Sequence, residues 1–297
     1  MTFKKTLVAA SLAALSMAAV AQTNDAGKDE KELASTSDFA ATANVMLASS
    51  YRFRGIDQTF NQPAIQGGFD ITMPYGFYVG NWNSNVNGYS AAVGGGNIEM
   101  DVYGGWKYAF NEDFGLDTGV INYFYPGSTM SAYNSSYSNT DGVATYGAKG
   151  GNVYNLEYYI GGNWKTVSLK QYVALTDYFN VKGVNNASTS GSGYTDLTGT
   201  YDLGGLHDSL ATWGVVGHVG YFYMANYSQA NYADWKLGIT KDIGSGWSAS
   251  ASYIQASTNG NCAAGSVQFY CQTKSSGSPT TQNGGHATAV VTIGRTF

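Results

Sequence analysis

From Phe39 to the C-terminus the chain repeats a period of two, and the lengths of the connections between repeats alternate as well. In the first segment Val45, Leu47, Tyr51 and Phe53 share one face, opposite Asn44, Ser50, Arg52 and Arg54. Near residue 100, Ile98, Met100, Val102, Trp106 and Tyr108 oppose Glu99, Asp101, Tyr103 and Lys107, and Trp235, Leu237 and Ile239 oppose Asp234, Lys236 and Thr240. Successive strand side chains point to opposite faces, so each split describes a strand with one apolar and one polar side. About twelve such segments of roughly 9 to 14 residues begin near Phe39, Gln62, Tyr75, Asn97, Glu112, Val153, Thr166, Tyr194, Ala211, Tyr232, Gly246 and Ala287. Short connections fall at Met73–Gly76, Phe110–Asp113, 162–165, 203–208 and 243–246. Long ones, most of them rich in Gly, Ser, Asn and Thr, fall at 55–61, 84–96, 126–151, 179–193, 225–231 and 257–286. Strict alternation of short and long has no reason in a water-soluble sandwich, the competing all-β reading. It is what a transmembrane barrel requires, with short periplasmic turns and long extracellular loops. The expected fold is all-β: a transmembrane antiparallel up-and-down β-barrel of about 12 strands.

The N-terminus agrees with export. Lys4 and Lys5 precede an apolar run from Thr6 to about Val20, and Ala19-Val20-Ala21 offers a small-residue cleavage site before Gln22. That is the pattern of a secretory signal peptide over 1–21, the apolar run being short for a membrane anchor. Residues 22–38 read as a polar periplasmic segment, with a short helix or pore plug as the alternative, and 39–297 as the barrel. Charged residues are only 12% of the chain and the net charge is -5, so no basic stripe is present for phosphates and nucleic acid is excluded as a partner. Cys262 and Cys271 enclose a short loop that an exported chain can close as a disulfide. Two thiols in a chain with only 3 His do not complete a zinc shell, so no metal and no cofactor is expected.

A barrel wall has a lipid face and a lumen face, and charge at mid-depth in lipid costs a few kcal/mol, so the charged sets face inward. The expected pore-lining residues are Arg52, Arg54, Asp70, Glu99, Asp101, Lys107, Asp117, Glu157, Lys170, Asp196, His218 and Lys236. Tyr51 and Phe53 are expected toward lipid, and Trp82, Trp106, Trp164, Trp213, Trp235 and Trp247 at the two membrane interfaces. Outer-membrane lipid and lipopolysaccharide are the expected surroundings, and small solutes the expected cargo.

The C-terminal ATAVVTIGRTF alternates Ala289, Val291, Ile293 and Phe297 on one face and resembles the last strand of bacterial outer-membrane barrels. That resemblance implies that Phe297 is an assembly signal read by the barrel-assembly machinery. Arg295 departs from it, standing where an apolar or aromatic residue is usual. The run Tyr51-Arg52-Phe53-Arg54-Gly55, with Gln58-Thr59, Pro63-Ala64, Gln66-Gly67-Gly68, Asp70 and Gly80 to Val86, resembles the N-terminal signature of the TorF family of porin-like proteobacterial proteins. The resemblance covers about the first three strands and implies an outer-membrane barrel with a presumed porin role and no catalytic residues.

Catalytic constellations are sparse. His207, Asp208 and Ser209 are adjacent in a short turn, where side chains seldom converge on one atom, and no G-x-S-x-G elbow occurs. The expected function is therefore non-enzymatic: passive diffusion of small hydrophilic solutes or ions through a narrow lumen. A closed structural or surface-interaction (adhesin- or receptor-like) barrel is the alternative, and an outer-membrane hydrolase a third.

Overall fold

The computed structural model describes residues 39–89, 95–129, 136–139, 142–146, 152–258, 262, 269–275, 278 and 280–297. The expected signal peptide, the segment 22–38 and much of the loops 126–151 and 257–286 lie outside them. Twelve strands form the wall: β1 (Ala40–Ala48), β2 (Ala64–Thr72), β3 (Phe77–Asn85), β4 (Ile98–Ala109), β5 (Phe114–Phe124), β6 (Tyr154–Trp164), β7 (Val167–Ala174), β8 (Gly193–Asp202), β9 (Trp213–Tyr223), β10 (Tyr232–Gly244), β11 (Trp247–Ala256) and β12 (Thr288–Thr296). Each pairs antiparallel with its sequence neighbour, and β12 pairs with β1 from Asn44↔Thr296 to Ala48↔Thr292, closing the sheet. No strand begins more than two residues from the position expected from alternation.

Closure decides what each face can be. The outer surface carries Val45, Leu47, Ile65, Val102, Leu169, Leu237 and Ile293 among many exposed apolar side chains, a continuous band that water would not support and hydrocarbon does. Aromatic rings edge the band. At the short-turn end Trp106 stacks on Tyr108, Tyr108 meets Phe110, and Phe114 stacks on Trp164. At the other end Tyr154, Tyr221, Tyr223 and Trp235 are exposed. Amphipathic rings at both rims are the arrangement of a barrel crossing a bilayer. Arg295 lies at the short-turn rim with its guanidinium over the Trp247 and Phe297 rings, so its charge reaches the interface rather than the hydrocarbon.

Two expectations about the faces are corrected. The first strand stops at Ala48, not Arg54, and Tyr51 and Phe53 are buried inside the barrel at 2% and 7% exposure rather than turned to lipid. Trp82 also points inward, where its ring meets Tyr51 edge-on at 5.4 Å, and so belongs to no interfacial girdle. It shares the parity of Tyr78 and Ser84, both buried on the inner face of β3.

The abundance of Gly (39) and Tyr (24) has a geometric origin on that inner face. Tyrosine rings lie along the wall across glycines of the neighbouring strand. A Cβ at Gly80 would overlap the Tyr103 ring, and one at Gly220 would overlap the Tyr194 hydroxyl. Overpacking of this kind typically costs 1–3 kcal/mol, so Gly80→Val is expected to destabilise the barrel by about 2 kcal/mol. Gly217→Ala, at a site with nothing within 4 Å of the added Cβ, is expected to change stability by less than about 0.5 kcal/mol. Urea unfolding of vesicle-inserted protein reads both, and equal effects would contradict the ring-over-glycine account.

Candidate functional site

The interior is built around the segment that follows β1. Beyond Ser49 and Ser50 the chain leaves the wall and turns into the barrel as a miniature hairpin, in which Arg52 pairs with Asp57 and Phe53 with Ile56. Its two central residues, Arg54 and Gly55, have φ of 49° and 80°, the left-handed pair that a tight two-residue hairpin demands. Gly55 is required twice over, since a Cβ there would also lie 2.7 Å from the Asp234 Cβ. A hairpin alternates with period two as a wall strand does, so the pattern Tyr-Arg-Phe-Arg fits both.

Asp57, 0% exposed, organises the insert. Its carboxylate accepts from the backbone N–H groups of Thr59 (2.9 Å) and Asn61 (2.8 Å) and from Gln282 Nε2 (2.7 Å), with Arg52 at 3.8 Å. Arg52 does not line a free lumen. Its guanidinium donates to the carbonyls of Gly284 (2.9 Å) and His286 (3.2 Å) and to Asn61 Oδ1 (2.8 Å), tying the insert to the last long loop. Gln272 Nε2 adds a bond to the Asp57 carbonyl at 2.6 Å. In that same loop Cys262 and Cys271 are joined as a disulfide.

At the tip, Arg54 reaches across to β6. Its two terminal nitrogens bond Glu157 Oε1 at 3.0 Å and Oε2 at 2.6 Å, both side chains being 1% exposed. The guanidinium carbon lies 4.6 Å from the Tyr194 ring centroid, 5.0 Å from Tyr172 and 4.7 Å from Phe53. Tyr51 donates to Glu99 at 2.6 Å, and Tyr125 donates to the other oxygen at 2.7 Å. Asp101, two residues along β4, is buried with Oδ1 lacking any partner.

Closer to the short-turn end a second group of polar side chains lines one side of the wall. Asp117 accepts from Lys170 Nζ and from Tyr78 Oη, both at 2.6 Å, and Tyr78 also meets Tyr159. Lys170 lies over the Tyr159 ring and Lys107 over Tyr78, at 4.9 and 5.1 Å, while Tyr103 donates to Asp70 at 2.6 Å. On the opposite wall His218 sits between Asp234 (3.0 Å) and Asp196 (3.4 Å), and Tyr194 bonds Asp234 at 2.9 Å. Lys236 is paired across the β9–β10 ladder with His218. Glu99 and Tyr123, at the level of the hairpin, are each 0% exposed, so the lumen is filled there rather than open.

All twelve expected charged residues therefore lie inside the barrel's outline, ten on the wall strands and two, Arg52 and Arg54, on the insert. The structure brings together Arg54 with Glu157, Lys170 with Asp117, and His218 with Asp196. Asp57 and the hydroxyl-bearing rings of Tyr51, Tyr78, Tyr123 and Tyr194 were not among the expected site residues. Tyr123 and Tyr194 were legible by parity, each an even number of residues from an expected inward residue on its own strand, Asp117 and Asp196. His207 is elsewhere: its ring caps the 207–210 turn, accepting from the Ser209 N–H at 3.1 Å. Among the described residues no group of three or more His, Cys, Asp or Glu is arranged to hold a metal ion.

A closed twelve-strand barrel with an apolar exterior, aromatic rims and a polar, charged interior is a bacterial outer-membrane β-barrel of porin-like architecture. The chain belongs to the family described as "Bacterial protein of unknown function (Gcw_chp)", which it matches over residues 32–297. No curated protein matches it in sequence. Among solved structures it is similar to the KdgM porin, at 8% identity and a TM-score of 0.45 over 86% of this chain and 99% of that one. The NanC porin gives 8% and 0.43 over 87% and 99%, and an outer-membrane channel from Pseudomonas putida F1 gives 10% and 0.42 over 89% and 98%. Likeness at this level says nothing about cargo, and the fold rests on the closure of the sheet itself.

Removing one partner of a buried ion pair leaves an uncompensated charge and typically costs 3–5 kcal/mol, whereas an apolar replacement of both is close to neutral. Arg54→Met and Glu157→Leu are each expected to lower stability by about 3 kcal/mol, and the double variant to recover most of the loss. A double-mutant cycle by urea unfolding measures the coupling. Additive effects would mean that the two side chains do not meet.

Proposed function

We propose that the protein is a porin-like channel for small hydrophilic solutes or ions, held closed at rest by the hairpin of its first loop. The observation that carries this reading is the ionic character of the closure. A lumen sealed only for rigidity is filled as well or better by apolar side chains, since a buried ion pair seldom stabilises more than its hydrophobic counterpart. Charged and hydroxyl groups on the wall instead offer partners for water and solute once the hairpin withdraws. On this reading Asp70, Glu99, Asp101, Lys107, Asp117, Glu157, Lys170, Asp196, His218 and Lys236 are the pore wall, and Arg52 and Arg54 belong to the closure. The TorF resemblance, with its presumed porin role, supports the same reading. The reading includes export through a cleaved segment 1–21, with 22–38 on the periplasmic side and Phe297 presented for assembly.

The burial of Glu99 and Asp117 favours a second reading, a structural or surface-interaction barrel whose lumen never opens. Planar-bilayer recording separates the two. Wild type is expected to give rare, brief openings, and a barrel in which residues 51–58 are replaced by a Gly/Ser linker is expected to conduct steadily. A folded linker variant that never conducts would overturn the channel reading.

A further inference from the structure

Apart from the Phe53 ring, the groups that hold Arg54 belong to the barrel, not to the hairpin. Glu157 is already oriented without it: Asn155 Nδ2 donates to Oε1 at 3.0 Å, and Tyr123 donates to Oε2 at 3.3 Å. Tyr172 and Tyr194 present ring faces from β7 and β8, and the Tyr178 hydroxyl completes the enclosure 3.4 Å from the guanidinium. A carboxylate presenting both oxygens side by side to a planar fork, between aromatic faces, selects guanidinium over a compact ammonium ion.

The pocket is also more acidic than its occupant. Asp101 lies two residues from Glu99 on the inner face of β4, paired across the ladder with Tyr123, whose hydroxyl bonds Glu157. Asp101 Oδ1 and Asn155 Oδ1 are buried acceptors with no partner, although both residues are at least 98% buried. The enclosure therefore offers acceptors that Arg54 leaves unused. Arg54 itself stands on the tip of a two-residue turn, the narrowest way a chain can deliver one side chain into a pocket.

We propose that the wall pocket around Glu157 is a binding site for guanidinium-bearing solutes, and that Arg54 occupies it as a tethered substitute in the closed barrel. This rests on the reading of the hairpin as a removable closure. It assigns the cargo class and a way of opening: a guanidinium solute and Arg54 compete for one carboxylate. Tethering gives Arg54 an effective concentration in the millimolar range or above, so a free solute binds the unmodified barrel far more weakly than one lacking Arg54.

The test is calorimetric titration of methylguanidinium, at constant ionic strength, into folded barrel in detergent. Folding is verified by the mobility difference between boiled and unboiled samples. Two proteins are used, Arg54→Ala and the 51–58 linker variant, so that instability of one leaves the other. Saturable binding at one site is expected in both, about tenfold weaker for methylammonium, which lacks the fork. Adding Glu157→Gln is expected to weaken methylguanidinium binding by about tenfold or more. No saturable binding to either folded variant, equal binding of methylammonium, or binding indifferent to Glu157→Gln would each overturn the assignment. Because the readout is binding, a variant that conducts but does not bind refutes the site alone, and one that binds but never conducts refutes the channel alone.

Discussion

Everything in this molecule follows from the absence of hydrogen-bond partners in hydrocarbon. Twelve strands can cross a bilayer only if the last pairs with the first, and the β12–β1 ladder does that. Closure satisfies the backbone but creates a new problem, an interior lined by every second side chain of twelve strands. Outward positions are solved by lipid and need only be apolar. Inward positions must be filled or hydrated, and at the level of the hairpin they are filled. Tyrosine rings lie over glycines of adjacent strands, and the first loop supplies what remains.

The filling is chemically specific. Buried carboxylates on β4, β5 and β6 each have a partner that belongs to another part of the chain: Tyr51 and Arg54 from the insert for Glu99 and Glu157, and Lys170 from β7 for Asp117. Asp101 is the exception, with one oxygen unpartnered. The insert is in turn tied to the last long loop through Arg52, Asp57 and Gln272, so withdrawal of the hairpin requires that loop to release it as well. The closure is thus a polar assembly with its own scaffold, and on the channel reading its release would be a discrete event rather than a drift of side chains.

Much of this was legible in the sequence. Strand starts came out to within two residues because alternation, turn residues and connection length all point the same way. Faces such as Glu99, Asp101, Tyr103 and Lys107 against Ile98, Met100 and Val102 were readable for the same reason. What was not legible was the fate of residues 49–61. Period two is a local property, and Tyr51 to Arg54 satisfies it equally well in a wall strand and in a hairpin folded into the lumen. The partner that decides between them, Glu157, is 103 positions away and carries no mark of the pairing. Trp82 was misassigned by the same route. An inward tryptophan needs a ring to pack against, and Tyr51 could supply one only after the loop had entered the barrel.

The entry of that loop is the central claim, and cysteine accessibility tests it most directly. Phe53 is buried inside the barrel, whereas Gln62, just beyond the hairpin, is exposed. In a background with Cys262→Ser and Cys271→Ser, Phe53→Cys is predicted to resist a membrane-impermeant maleimide in intact outer membranes under conditions that label Gln62→Cys. Labelling of Phe53→Cys at the rate of Gln62→Cys would place the hairpin outside the barrel and contradict the account.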